Sequence, residues 1–544
     1  MTENRKRVLV IGLDGFTWDL GRGFMAEGIM PNLARLVQDG CHGTLESVVP
    51  YETGPAWSSF QTGCYPVKTG VFAFHGYSSE TRQIKLNSFS EINVPTLWEL
   101  LSSEGKKIVS INMPVTSPPP KINGVIVPGM TCPKLSRQTV HPPEIYEKYI
   151  KPDPNYLIVN NQRQDGLQDY IRELSKTESH RCNLALQLMQ EIDWDLFAVQ
   201  IQNTDTFQHH NWWALDPSAA GFTKESYLQA TEFYKEIDAI LGKLIQAAGE
   251  SVLTAVVSDH GFCSQKAEIG INTWLIQHGY LHMNEDEKRS RFKRLKNKVK
   301  EAVPPLKYLA SVYGKFIKSL SSWAVFINKD HVRNSRSILY SEKVAKHLRA
   351  NIDLDRSLAF GLGGMGEVLY IIDKTQADKA NEMIKKLLKA YGPDSSEPLI
   401  ATIRPIEAPC ENNKPPHFLP DYIITLMDGV EARVNPKGAS VVESGIINGK
   451  QRGTHAQDGI FVLQGPGVKK TNFNASIVDI APTILSYFSI PVPDYIDGMT
   501  LSEAFAETLD IQYRTVEIPE KRDTQYSDID QSIVEKQLED LGYL

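Results

Sequence analysis

The chain has 544 residues, 41% of them hydrophobic, and a formal net charge of −7, which is typical of a globular protein with a large buried core. The acidic balance argues against a chain-wide attraction to nucleic acid, so no specific nucleic-acid binding is expected. Six cysteines are scattered along the chain without paired spacing, which argues against both a disulfide framework and a zinc ribbon.

The first residues, "MTENRKRVLVIGLDG", pass directly from a few polar residues into an apolar strand. They contain no apolar signal segment, and no stretch of the chain approaches the length of a membrane span. A cytoplasmic location is therefore expected.

Strand-like and helix-like segments then alternate. The apolar run "RVLVIGLDG" is typical of a buried parallel strand, and "MPNLARLVQDG" predicts an amphipathic helix that ends at Gly40. The runs "KIVSINMPV", "WDLFAVQIQNTD" and "VLTAVVSDHG" repeat the strand pattern, with long helical stretches between them. This alternation predicts an α/β fold with a mostly parallel sheet covered on both faces, and chemistry at the carboxyl ends of the strands.

The character of the sequence changes near residue 281. The segment "EDEKRSRFKRLKNKVKEAVPPLKYLASVYGKFIKSL" is dense in Lys and Arg, with Phe292, Leu295 and Val299 on one helical face. A solvated helix, a lid that attracts phosphate and a contact with a membrane surface are three open interpretations. A strand–helix–strand pattern follows from "GEVLYIID" to "LIATIRPI", and "LPDYIITL" and "GIFVLQGPG" predict a return to core strands.

These changes predict four regions. The first part of the core covers residues 1–280, and an inserted α+β cap with the basic helical segment covers residues 281–415. The core returns in residues 416–510, and residues 511–544 form a charged C-terminal tail.

Several Asp and His residues fall at or near predicted strand ends. Taken one at a time, each has an ordinary interpretation as a turn former or a locally bonded pair, and His455 is placed in a Gly-bounded loop of "RGTHAQDGI", where a lone His usually faces solvent. Taken together they form two clusters that both mix carboxylate and imidazole, the ligands of a pair of divalent cations about 4 Å apart. The residues are Asp14, Asp205, His209, Asp259, His260 and His455.

The stretch "VVPYETGPAWSSFQTGCYPVKTG" offers two nucleophiles, Thr53 before a predicted helix and Cys64 after it. A hydroxyl between two cations loses its proton easily, because a bound cation lowers the pKa of its oxygen ligand. Thr53 also precedes a helix N-terminus, which favours an anionic substrate. From these residues alone, both candidates remain open.

The chain resembles the alkaline phosphatase superfamily, in particular its type I phosphodiesterase/nucleotide pyrophosphatase branch. The resemblance runs from "VLVIGLDGF" and "MPNLARL" to "SIVDIAPTILSYFSIPVPDYIDGMTL", and the basic insertion is its poorly matched part. In that branch the nucleophile precedes a helix that ends in Thr-Gly, and a Pro follows the helix. In this chain the corresponding residues are Thr53, then Thr62-Gly63, then Pro66.

The resemblance implies an alkaline-phosphatase-like α/β/α sandwich with a mostly parallel central sheet and an inserted α+β cap. It also implies two divalent metal ions, zinc with manganese as the alternative, and Thr53 as the nucleophile. The resemblance assigns Asp14, Asp259, His260 and Thr53 as ligands of one ion. It assigns Asp205, His209 and His455 as ligands of the other.

Comparison with the related sulfatases makes Cys64 a structural residue. Their catalytic Cys stands before the helix, at the position of Thr53, and their motif has Arg where this chain has Lys68. Two departures from the phosphodiesterase pattern lie nearby, and the first is Thr69-Gly70, where that branch usually has His-Gly. Phe74 replaces an Asn that hydrogen-bonds a phosphoryl oxygen, and His75 beside it either takes over that role or is structural.

The resemblance implies in-line attack of Thr53 on phosphorus and a phosphothreonine intermediate that water hydrolyses. The expected substrate is a small phosphodiester or nucleotide pyrophosphate. Phosphomonoester hydrolysis and a non-catalytic metal-binding scaffold are the alternatives, whereas sulfate ester hydrolysis and a mutase reaction are not expected.

Overall fold

The computed structural model describes residues 5–160, 166–284, 352–362, 367–391, 397–407, 418–433, 440–518 and 527–541. The basic segment with Phe292, Leu295 and Val299 lies outside these ranges, so the three interpretations given for it remain predictions.

The strands are numbered in chain order. They are β1 (Val8–Leu13), β2 (Cys41–Glu46), β3 (His75–Ser78), β4 (Gln83–Leu86), β5 (Ile108–Ile111), β6 (Gly124–Val127), β7 (Leu196–Ile201), β8 (Leu253–Val257), β9 (Gly261–Ser264), β10 (Ala267–Gly270), β11 (Ala359–Leu362), β12 (Val368–Ile371), β13 (Ile400–Pro405), β14 (Tyr422–Leu426), β15 (Val430–Arg433), β16 (Val442–Ser444), β17 (Ile446–Ile447), β18 (Lys450–Gln451), β19 (Gly453–Ala456), β20 (Asp458–Gln464), β21 (Thr471–Asn472), β22 (Ala475–Ser476), β23 (Val492–Pro493) and β24 (Tyr513–Arg514).

The α-helices are numbered in the same way. They are α1 (Trp18–Ala26), α2 (Pro31–Asp39), α3 (Thr53–Thr62), α4 (Pro66–Thr69), α5 (Leu97–Ser103), α6 (Pro143–Ile145), α7 (Leu167–Glu191), α8 (Asn203–Asn211), α9 (Lys224–Ala248), α10 (Ile271–Gln277), α11 (Ala377–Leu387), α12 (Ile480–Tyr487) and α13 (Asp528–Leu541).

The central sheet has the strand order β21–β2–β20–β8–β1–β7–β5–β6, with β22 also paired to β2. The strands β8, β1, β7, β5 and β6 pair in parallel, whereas β20 runs antiparallel to both β2 and β8. The prediction of a mostly parallel central sheet is therefore confirmed.

The buried pattern of β1 explains why helices cover both faces of this sheet. Leu9, Ile11 and Leu13 point into a core cluster built with α1, α2, α7 and α9. Val8 and Val10 point into a second cluster built with α3, α5 and α12. Alternate residues of a strand face opposite sides of a sheet, so a continuous apolar run requires cover on both sides. The result is the α/β/α sandwich that the sequence predicts.

A smaller sheet with the order β11–β12–β14–β13 has its own apolar core together with α11. The predicted strand–helix–strand pattern is confirmed here as β12, α11 and β13. The prediction that "LPDYIITL" returns to the core is wrong, because its strand β14 pairs with β12 and β13 in the smaller sheet. A local apolar run makes a strand but does not select its partner. The strand in "GIFVLQGPG" is β20 and does join the central sheet.

The C-terminal region carries a helix, α13, within the predicted charged tail. Val534 and Leu538 of this helix are fully buried and pack with Phe74, Leu86 and Met130. Part of this segment is therefore integrated into the fold.

Among the described residues, no helix is both long enough and apolar enough to cross a lipid bilayer.

Candidate metal centre

The candidate site lies where neighbouring strands of the central sheet end. Asp14 follows β1 directly, and Asp259 and His260 follow β8, which pairs with β1 in parallel. On the other side of β1, strand β7 ends at Ile201 and leads into α8. Parallel strands bring their carboxyl ends to one edge, so residues distant in sequence meet there.

The first cluster surrounds the hydroxyl of Thr53, the first residue of α3. Its Oγ1 lies 3.3 Å from Asp14 Oδ1 and 3.4 Å from His260 Nε2. His260 Nε2 lies 3.7 Å from Asp14 Oδ1 and 3.4 Å from Asp259 Oδ2. All four side chains are fully buried. The structure therefore brings together the four residues that the resemblance assigns to one ion.

The second cluster is built on α8. Asp205 and His209 are four residues apart on this helix, a spacing that turns both side chains to the same face. His209 Nε2 lies 3.4 Å from Asp205 Oδ1, and His455 Nε2 lies 3.1 Å from the same oxygen. The Nε2 atoms of His209 and His455 are 3.0 Å apart.

The sequence-based placement of His455 in a loop is wrong. His455 lies in the short strand β19, which pairs antiparallel with β9 so that His455 is opposite Phe262. Pairing with β9, which directly follows Asp259 and His260, fixes the position of the imidazole. The rings of His455 and His260 stack with their centroids 3.7 Å apart, so the two clusters are adjacent.

The pKa values of the three buried Asp side chains are shifted in different directions. Burial and the neighbouring charges of Asp259 and Asp205 raise the pKa of Asp14 well above its ordinary value. Burial, with the charge of Asp205, likewise raises the pKa of Asp259 well above its ordinary value. Burial also raises the pKa of Asp205, but His209 and His455 outweigh it and hold that pKa well below the ordinary value. The buried carboxyls of Asp14, Asp205 and Asp259 therefore lie close together without enough positive charge nearby to balance all three.

The two imidazoles that link the clusters are held in the form that a cation requires. Burial lowers the pKa of His260 and of His455. Nδ1 of His260 lies 3.0 Å from the carbonyl oxygen of Gly261, and Nδ1 of His455 lies 3.1 Å from that of Tyr51. Each Nδ1–H donates to a carbonyl, which leaves the Nε2 lone pair facing the centre.

The residues present fit divalent cations. Asp14, Asp259 and His260 bring one ligand atom each to within 4.8 Å of one another, and Asp205, His260 and His455 do the same. Oδ2 of Asp259 is buried and has no hydrogen-bond partner among the described residues. Carboxylate and imidazole donors of this kind suit zinc and manganese, and a cation would supply the missing positive charge.

Two residues of the site were not identified from the sequence. The second oxygen of Asp14 accepts hydrogen bonds from Trp57 Nε1 at 2.9 Å and from Gln200 Nε2 at 2.5 Å. The sequence did contain a signal for both. Trp57 lies four residues after Thr53 on α3, and Gln200 is the one polar residue of the buried strand "LFAVQI".

Cys64 has the environment of a structural thiol. It is fully buried, and Sγ lies 3.6 Å from the carbonyl oxygen of Tyr495. Burial raises the pKa of the thiol to about 12, far from that of a nucleophilic cysteine.

His75 Nε2 lies 3.6 Å from Glu535 Oε1 of α13. The ring of Phe74 packs against the start of α3, since a Cβ atom at Gly54 would come within 3.2 Å of it.

Comparison with solved structures of phosphonoacetate hydrolase shows a shared fold. Phosphonoacetate hydrolase from Sinorhizobium meliloti, in complex with phosphonoformate, aligns with 89% of this chain and 95% of its own at 13% identity and a TM-score of 0.53. The same enzyme in complex with phosphonoacetate gives the same coverage at 12% identity and a TM-score of 0.51. Human ectonucleotide pyrophosphatase/phosphodiesterase 5 aligns with 92% of this chain and 100% of its own, at 12% identity and a TM-score of 0.49.

No curated protein sequence matches the chain. The family model for type I phosphodiesterase/nucleotide pyrophosphatase matches residues 8–361, which is more than half of the 544 residues. The chain therefore belongs to the type I phosphodiesterase/nucleotide pyrophosphatase family, hydrolases of phosphoester bonds with an alkaline-phosphatase-like fold.

Proposed function

We propose that this hydrolase cleaves phosphodiester or phosphoanhydride bonds in small molecules, with Thr53 as the nucleophile at a centre of two divalent cations. One observation carries the proposal. The hydroxyl of Thr53 lies beside His260, the residue shared by the two Asp/His groups, with its Oγ1 3.3 Å from Asp14 Oδ1 and 3.4 Å from His260 Nε2.

The cations are zinc in this proposal, with manganese as the alternative. Asp14, Asp259 and His260 would hold one ion with Thr53, and Asp205, His209 and His455 would hold the other. When bound, such a pair lowers the pKa of a ligated hydroxyl and neutralises charge on the phosphoryl oxygens. This assignment rests on the donor types, their burial and the orientation of the imidazole lone pairs.

The protein positions the attacking oxygen and the phosphoryl group. Thr53 donates its hydroxyl hydrogen to Asp14 Oδ1, which directs a lone pair of Oγ1 away from Asp14. Trp57 and Gln200 hold the other oxygen of Asp14, so this carboxylate cannot turn away. Thr53 begins α3, and the N-terminal end of a helix favours an anionic group in front of it.

The reaction then has two displacements. In the first, Thr53 Oγ1 loses its proton and bonds to phosphorus while the bond from phosphorus to the leaving oxygen breaks; the leaving group departs with that electron pair and takes up a proton from solvent, which leaves a phosphothreonine. In the second, the oxygen of a water molecule bonds to phosphorus, the Thr53–phosphorus bond breaks, and one proton of that water restores the hydroxyl of Thr53.

Hydrolysis of three chromogenic esters tests the proposal. Zinc-loaded wild type is compared with Thr53→Ala on bis-p-nitrophenyl phosphate, p-nitrophenyl phosphate and p-nitrophenyl sulfate. We expect turnover of the diester in wild type and a loss of at least about 10³-fold in Thr53→Ala, because the nucleophile is removed. Cys64→Ala is the matched control from the same segment and should retain diester turnover.

Two results would count against the proposal. Diester turnover that survives in Thr53→Ala would exclude Thr53 as the nucleophile. Faster turnover of the monoester than of the diester would keep the site and overturn the substrate class.

A further inference from the structure

A fully buried ion pair lies beneath the second Asp/His cluster. Glu178 and Arg181, three residues apart on α7, are each about 1% exposed, and Arg181 Nη1 donates to Glu178 Oε2. Arg181 Nη2 also donates to the carbonyl oxygen of Ile158 at 3.0 Å. Burying two charges carries a desolvation cost that their attraction offsets only when the geometry is good, so such a pair is weak evidence for stability alone. The remaining contact of Glu178 indicates a role in holding a neighbouring helix.

The other oxygen of Glu178 caps a neighbouring helix. Glu178 Oε1 accepts the backbone N–H of Asn203 at 3.0 Å, and Asn203 is the first residue of α8. The first N–H groups of a helix have no partner inside it, and a carboxylate there is also favoured by the helix dipole. Gln202, which precedes α8, makes no side-chain cap. The capping acceptor therefore comes from α7.

Helix α8 carries two of the three residues assigned to the second ion. Asp205 is the third residue of α8 and His209 lies one turn further on. The same end of α8 is tied to α7 again, because Asn203 Nδ2 donates to the carbonyl oxygen of Leu174 at 3.2 Å. A shift of this end would move the carboxylate and the imidazole together.

We infer that Glu178, held by Arg181, is a positioning residue for the second cation site, acting through its hydrogen bond to Asn203 at the start of α8. The inference rests on the proposed function, since it takes Asp205 and His209 as ligands. Arg181 fixes Oε2 of Glu178, so that Oε1 stays directed at Asn203. Loss of the acceptor would loosen the start of α8 and weaken the ion at Asp205 and His209 more than the ion on the Asp14 side, which α8 reaches through the hydrogen bonds of Thr204 and Gln208 to backbone carbonyls.

Two double variants separate the hydrogen bond from the charges. Glu178→Gln/Arg181→Met keeps an acceptor for Asn203, whereas Glu178→Met/Arg181→Met removes it. Both remove the buried charge pair, which is often neutral for stability. Zinc bound per chain is measured by equilibrium dialysis, and the rise in Tm on adding zinc is recorded alongside. Asp169→Asn, which breaks the exposed Asp169–Arg172 pair of the same helix, is the control.

We expect two zinc ions per chain in wild type, in Asp169→Asn and in the Gln double variant. In the Met double variant one of the two ions should bind about 10-fold more weakly, with a smaller zinc-induced rise in Tm. If the Met double variant does not fold, Glu178→Asp is used, which withdraws the acceptor by one methylene and keeps the pair. It should show the same selective weakening.

The outcomes separate the inference from the proposed function. Equal zinc binding in the Gln and Met double variants, whether unchanged or reduced, would overturn the role of the Asn203 hydrogen bond. A wild type that does not take up two zinc ions would instead contradict the two-cation centre itself.

Discussion

The carboxyls of the site are arranged for a cation rather than for the stability of the metal-free chain. Asp14 and Asp259 are fully buried near each other, and burial raises the pKa of both well above the ordinary value. A carboxyl whose pKa is raised in the folded state binds more protons there than in the unfolded chain. Stability is therefore lost as pH rises above the ordinary carboxyl range, and none is lost below it.

Asp259→Asn tests whether the buried carboxylate of Asp259 lowers the stability of the metal-free protein. Asparagine keeps the shape and one acceptor for the N–H of Gly15 but removes the charge. Without metal, the variant should be more stable than wild type by about 1 kcal/mol, and the difference should grow as pH rises above about 4. With zinc, the variant should lose most of the zinc-induced rise in Tm.

Thermal unfolding between pH 4 and pH 8, with EDTA or with zinc, measures both effects. Asp169→Asn at the exposed position on α7 serves as the control and should change neither. A metal-free Asp259→Asn variant that is less stable than wild type across this range would show that the carboxyl is not held at a cost.

The residues of the site differ in how far the sequence reveals them. The Asp and His residues could be predicted because they follow strand patterns and match family motifs. Gln200 and Trp57 were not selected, because a polar residue in a buried strand and a Trp in a helix do not show which residue they contact. Their contact with Asp14 depends on the pairing of β1 with β7 and on the packing of α3.

Helix α3 connects Thr53, the proposed nucleophile, to the first Asp/His cluster. Thr53 and Trp57, four residues apart on it, both reach Asp14. The indole of Trp57 packs closely over β1, where a Cβ atom at Gly12 would come within 2.5 Å of the ring. The glycine therefore lets α3 approach the strand closely enough for both contacts.

Trp57→Phe removes the hydrogen bond to Asp14 and keeps most of the apolar packing. We expect zinc binding to weaken by about 10-fold, because Asp14 Oδ2 then has only Gln200 as a side-chain donor among the contacts described above. Trp98→Phe is a matched control, since Trp98 is equally buried in the same core cluster but donates to Gln61 instead.

Both variants lose one buried hydrogen bond, so both should lose stability by about 1 kcal/mol. Only Trp57→Phe should lose zinc affinity, as measured by competition with a chelator. Equal zinc affinity in the two variants would contradict the role of Trp57 in orienting Asp14.

Strands and helices with a regular apolar pattern were predictable from the sequence, but the strands with which they pair were not. The strands β1, β7 and β8 and the long helices α7 and α9 form where the apolar pattern places them. Strand β14 also forms as predicted but pairs in the smaller sheet, and His455 lies in a strand only because β19 pairs with β9. Pairing between distant segments depends on tertiary packing, which a local pattern does not record.

At the scale of the whole molecule, the site gathers residues from Asp14 to His455 at one edge of the central sheet. The fold class was predictable because strand and helix patterns alternate and agree with a family resemblance. The packing of α13 against Phe74 was not predictable, since the segment is charged and, among its described side chains, Val534 and Leu538 are the ones that join that apolar cluster. Helix α13 thus packs against Phe74, which itself packs against the start of α3.

In the proposed reaction, Thr53 becomes covalently phosphorylated during turnover. The direct measurement is to stop the reaction of zinc-loaded protein with bis-p-nitrophenyl phosphate by acid, digest the chain and determine peptide masses. The account predicts a p-nitrophenyl phosphoryl group on Thr53 in wild type and none at that position in Thr53→Ala. Turnover with an unmodified Thr53 peptide, or with the group on another residue, would contradict it.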